Sequence, residues 1–79
     1  MGMLDGQITI YVDGEMDFDG HYTAVPEEDN LTIDDYDGDL DDDDLYELEQ
    51  MVINAMNNEE EEVSFTLEES EYEVYWNYA

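Results

Sequence analysis

The sequence contains no lysine and no arginine in 79 residues, against 26 aspartates and glutamates. If basic residues make up about half of an ordinary ~25% charged fraction, drawing none has a chance on the order of 10⁻⁴. Neutral drift does not produce this, so something selects against even one positive side chain. The formal net charge is −26. No carboxylate can pair with a side-chain ammonium or guanidinium of its own chain, and self-repulsion opposes compaction. Retaining every carboxylate under those terms suggests that a partner supplies the counter-charge.

Other absences narrow the field. There is no cysteine, which excludes a disulfide framework, a thiol nucleophile and a thiolate metal site. The start, MGMLDG, lacks the basic and apolar regions of a signal peptide, and Gly6 stands where a myristoylation signal needs Ser or Thr. No apolar run approaches membrane-spanning length, and anionic lipid would repel the chain. A cytoplasmic protein is expected, with no membrane role. Without Lys or Arg to release counterions, direct nucleic-acid binding is excluded. There is no Gly-rich phosphate loop and no cation to hold an anionic transition state. The one histidine, His21, falls in an expected strand, and no nearby base serves Ser64 or Ser70. No enzyme, metal or cofactor is expected.

What is present argues for a folded domain. Apolar residues make up 42% and aromatics 13%, too rich for a disordered acidic tail. Residues 7–12 alternate, with Ile8, Ile10 and Val12 on one side, and predict a half-buried strand. Asp13-Gly14 predicts a hairpin turn. Met16 and Phe18 then alternate with acids, Asp19-Gly20 predicts a second turn, and residues 21–25 a third strand ended by Pro26. Residues 26–40 read as a surface loop anchored by Leu31, Ile33 and Leu40. From Asp41 the period becomes helical. Leu45, Leu48, Val52, Ala55 and Met56 form one stripe with Met51 at its edge. Asp41 suits the N-cap, Asp42, Asp43 and Asp44 the first turn, Leu40 and Leu45 a hydrophobic staple, and Asn57-Asn58 the stop. Residues 63–78 predict a hairpin turning over Glu68–Glu71. The expected fold is a single α+β domain over residues 1–79, an antiparallel sheet in the order β-β-β-α-β-β with one helix on a face.

The stretch DDYDGDLDDDD, residues 34–44, invites comparison with a calcium loop. Placing Gly38 at the sixth loop position puts Ile33 at the first, where an oxygen ligand is required. That register fails.

A 9.2 kDa domain has roughly 4,900 Å² of accessible surface, and 26 charges spread over it give about 190 Å² each. Duplex DNA carries one charge per ~1.7 Å of axis, on the order of 100 Å² each. Acids two apart on a strand lie about 6.5–7 Å apart, close to phosphate spacing. The candidate partner-binding residues are the block Glu27, Glu28, Asp29, Asp34, Asp35, Asp37, Asp39, Asp41, Asp42, Asp43 and Asp44, and the block Glu59, Glu60, Glu61 and Glu62. Tyr36 and Tyr46 join them as aromatic contacts.

Small size, total loss of cations, DDYDGDLDDDD and EEEE resemble the phage-encoded DNA-mimic inhibitors: anti-CRISPR proteins, anti-restriction proteins and uracil-DNA glycosylase inhibitors. The resemblance lies in composition and size. It implies a protein that occupies the Lys/Arg-lined channel of a basic nucleic-acid-binding protein, first a CRISPR effector complex, then a restriction enzyme or DNA glycosylase, in the cytoplasm of an infected bacterium. An acidic module for a histone-like protein, or a halophile's domain, are the alternatives from composition. The sequence does not fix an oligomeric state.

Overall fold

A computed structural model of the chain describes residues 3–78. Five strands form one antiparallel sheet: β1 (Leu4–Val12), β2 (Glu15–Val25), β3 (Asn30–Ile33), β4 (Glu62–Leu67) and β5 (Ser70–Trp76), in spatial order β3-β2-β1-β5-β4. The single α-helix, α1 (Asp42–Asn57), connects β3 to β4 and packs on one face of the sheet. The fold is α+β with the helix where the sequence places it.

Two hairpins turn as their sequences direct. Asp13 and Gly14 both take left-handed φ values, 52° and 85°, and join Val12 to Glu15. The second turn is tighter than Glu68–Glu71: only Glu68 and Glu69 are in it, at φ 48° and 72°, joining Leu67 to Ser70. Both hairpins lie at the same end of the sheet, because β1 and β5 are antiparallel neighbours.

The Asp19-Gly20 turn is not made. β2 runs straight through it, Thr9 opposite Asp19 and Ile8 opposite Gly20. The glycine serves close packing instead, since a Cβ at Gly20 would lie 2.5 Å from the ring of Phe18. A strand glycine that makes room for a neighbouring aromatic needs no turn. The third strand is β3, inside the expected loop, where Leu31 and Ile33 are buried opposite Ala24 and Tyr22. The intervening residues Pro26–Glu28 form one 3₁₀ turn.

A bulge decides the fate of the next residues. Ile10 faces Phe18 but Tyr11 faces Met16, leaving Asp17 as the extra residue. The bulge breaks the alternation that would place Met16 beside Phe18 in the core. Phe18 is buried, whereas Met16 is 60% exposed.

The helix begins at the expected cap. The Asp41 carboxylate accepts the Asp44 N–H at 2.9 Å, and three aspartates fill the first turn. Leu48, Val52, Ile53, Ala55 and Met56 are buried against Ile8, Ile10, Tyr22, Val74 and Trp76 of the sheet. Ile53 joins the expected stripe, and Leu45 and Leu40 are half-buried beside it. The helix ends at Asn58 with no basic residue in its last turn, and Glu59–Glu62 follow at once.

Replacing Gly20 with Ala forces the Phe18 ring off its seat, an overpacking change that costs about 1–3 kcal/mol. Urea unfolding followed by Trp76 fluorescence measures it; an unchanged midpoint contradicts the packing described.

Candidate partner-binding surface

No charged residue among those described is buried, and all 26 acids lie within residues 3–78. Every carboxylate therefore reaches the surface. With 5033 Å² of accessible area, that is about 190 Å² per charge, within about a factor of two of duplex DNA.

The fold redistributes the sequence blocks into two ends and an open face. The first end combines the start of α1 with both hairpin turns. Glu68 stands against Asp41, Asp43 and Asp44, and the fields of Asp44, Glu68, Asp13 and Asp17 all reach the Tyr72 hydroxyl. Asp13 is fastened to β5: its N–H donates to the Glu71 carbonyl at 2.7 Å and its carboxylate accepts the Glu71 N–H at 2.9 Å. Asp13, Asp17 and Glu68 are absent from the sequence-derived set. They lie far from residues 39–44 in the chain, and only the strand order brings them together.

The block 27–44 is not one patch. Glu27, Glu28 and Asp29 are carried to the other end, where the Asn57 side-chain amide donates to the Asp29 carboxylate at 3.2 Å. Glu59–Glu62 emerge from the helix C-terminus at that same end. The 16-residue helix separates the two groups by roughly 24 Å. Asp34, Asp35 and Asp37 occupy the exposed segment between β3 and α1, with Asp34 held to β2 by its N–H on the His21 carbonyl (2.9 Å). The exposed middle of the helix is nearly uncharged, presenting Tyr46, Met51 and Asn54 beside Glu47.

The sheet face away from the helix is uncovered. By the strand register it carries Asp5, Asp19, Glu62, Glu71 and Glu73, with the Tyr11 and Tyr75 rings meeting edge-on at 5.9 Å. Glu71 and Glu73, two apart on β5, are about 7 Å from each other. Alternation in 7–12 and 70–76 is the sequence signal for this face, masked there by the longer aspartate run.

The two proposed aromatic contacts differ. Tyr46 is 60% exposed, beside Glu28, Asp29 and Glu49, and is free to meet a partner. Tyr36 is instead part of the scaffold. Its ring packs on Phe18 at 5.0 Å, its hydroxyl donates to the Asp17 carboxylate, and it accepts the Leu40 N–H at 3.0 Å. Burial, then the bond to Asp17, pushes the Tyr36 hydroxyl well above the usual tyrosine range. Asp17 also accepts the Asp39 N–H at 3.0 Å. The bulged aspartate thus pins the whole approach to the helix. Gly38 is needed there, since a Cβ would run into both the Asp17 carboxylate and the Tyr36 hydroxyl.

Among the described residues, no group of three carboxylate or histidine side chains converges as metal ligands, and no helix is long and apolar enough to cross a membrane. No protein-family model, curated protein or solved structure matches the chain.

Two predictions test this geometry. Tyr36→Phe strips a partner from Asp17 and leaves the Leu40 N–H unpaired, lowering stability by about 2 kcal/mol in urea unfolding. No loss would remove Tyr36 from the scaffold. The second concerns pH. A hydrogen bond shared with Asp44, and then the charges of Asp44, Asp41 and Asp43, raise the Glu68 pKa; burial raises that of Glu49. The folded state therefore holds these protons more tightly than the unfolded chain, and stability increases as pH falls from 7 to about 5. Melting temperature should rise over that window, less so in high salt and less so in Glu68→Gln. A fall over the same window contradicts the assignment.

Proposed function

We propose that this chain is a protein inhibitor that imitates nucleic acid and occupies the Lys/Arg-lined channel of a DNA-binding protein. A CRISPR effector complex is the first target class, and a restriction enzyme or DNA glycosylase the next. The observation that carries the proposal is the surface itself: 26 carboxylates, none buried, with no lysine or arginine among them. A density within about a factor of two of DNA gives a cationic channel the field it is built to meet. The division of the acids supports the same reading. Two charged ends roughly 24 Å apart, joined by an acidic sheet face, span several phosphates of a duplex.

The mechanism requires binding and no chemistry. Long-range attraction steers the two surfaces together, and the on-rate falls steeply as salt screens it. Tyr46, and the Tyr11–Tyr75 pair on the open face, supply aromatic area at the contact. Nothing in this mechanism calls for a metal or cofactor.

Capture from bacterial lysate followed by DNA competition tests it. The captured protein should lose DNA binding while the inhibitor is bound, and added DNA should displace the inhibitor. Neutralising Asp39, Asp43 and Glu68 together should weaken the complex by about tenfold or more at low salt, and by less at high salt. A captured protein that binds DNA and this chain together would end the mimicry proposal.

A further inference from the structure

Both edges of the sheet expose backbone, but they differ in length and in surroundings. The Asp34 N–H bonds to the His21 carbonyl, so by the antiparallel alternation the Ile33 N–H points away from β2. Glu49 of the helix lies close to that amide. At four residues, with Glu49 beside it, β3 offers only a short edge.

The β4 edge is longer. Trp76 N–H donates to the Glu61 carbonyl at 3.3 Å, which places Val63–Val74, Phe65–Tyr72 and Leu67–Ser70 in the hydrogen-bonded set. The two-residue turn closing on Leu67–Ser70 agrees with that phase. Ser64 and Thr66 therefore direct N–H and C=O outward. Among the described residues nothing bonds to them. Residues 63–67 carry no charge, although a third of the chain is charged. Val63, Phe65 and Leu67 are only half-buried on the helix side. Natural edges are usually blunted by an internal charge, a proline or a bulge, and β4 has none of these.

The charges that bracket this edge determine what fits it. A second copy paired antiparallel through Ser64 and Thr66 would set Val63 against Leu67. Glu62 would then oppose Glu68, and Glu61 would oppose Glu69. Like charges directly opposite each other are destabilising, so the brackets reject self-pairing. The same brackets attract cations at both ends of an incoming strand.

We propose that the β4 edge is a strand-addition site for an extended segment of the partner: about five uncharged residues of alternating character, bounded on each side by Lys or Arg. The outward N–H and C=O groups of Ser64 and Thr66 supply the backbone bonds. The guest's inward side chains continue the apolar face beside Phe65 and Leu67. The site rests on the proposed function only in taking the partner as cationic.

Amide exchange at Ser64 and Thr66 in the full chain, read by NMR, tests it with three synthetic peptides: KKVTVTVKK, KKGSGSGKK and EEVTVTVEE. KKVTVTVKK should slow exchange at both amides about tenfold or more, and the other two should not. Thr66→Pro removes an outward N–H that β5 does not use, and should abolish the protection remaining at Ser64. The proposal is overturned if both lysine peptides spread their shifts over the acidic surface and leave these two amides unchanged. It is equally overturned if a folded Thr66→Pro chain binds KKVTVTVKK undiminished. Should that variant not fold, exchange in the unaltered chain decides alone. A partner strand that docks here without blocking DNA would sink the mimicry proposal and leave this one standing.

Discussion

With no lysine or arginine, carboxylates in this protein find their partners among N–H and O–H groups, and the architecture follows from that constraint. Asp41 accepts a backbone N–H to start the helix, and Asp13 accepts one to tie two hairpins together. Asp17 takes the Tyr36 hydroxyl and the Asp39 N–H, and Asp19 the Thr9 hydroxyl. Among the described residues the fastening is done by charge-assisted hydrogen bonds, which are individually stronger than neutral ones. A carboxylate so bonded is held in one direction while its charge stays exposed. The acids are thus both fasteners and surface.

The core is correspondingly strict. Fifteen residues are buried and hydrophobic, and no buried polar or charged side chain is found among the described residues. Tyr22 places its ring in this core and its hydroxyl on the Asn77 carbonyl at 2.8 Å, reconciling bulk with polarity. Burial, together with Tyr78 and Asp5, pushes that hydroxyl up to about 12, so it stays a neutral donor. Repulsion between the surface acids is opposed by this apolar interior, the sheet ladders and the fasteners.

Much of this was legible in the sequence wherever local chemistry decides. Asp41 as cap, the 3.6-residue stripe, Asp13-Gly14 and the alternation in 7–12 each act over a few residues, and each is found in place. The failures share one cause. Asp19-Gly20 carries a turn signature, but pairing with β1 on one side and β3 on the other outweighs it. Leu31 and Ile33 look isolated until β2 supplies their partners. Tyr36 reads as a surface aromatic because Asp17, nineteen positions away, is invisible to local inspection. The candidate surface shows the same division: its acids were evident, whereas their grouping into two ends depended on strand order.

The C-terminus of the helix has a consequence for the free protein. The negative end of a helix dipole favours cations, yet here the chain continues into four glutamates. The α1–β4 junction is therefore electrostatically strained, and either neutralising a glutamate there or adding a cation would relieve it. Positive charge bound there stabilises the folded chain by linkage, to an extent set by its concentration relative to its Kd. Folding and the attraction of positive charge thus draw on the same clustered carboxylates at this junction.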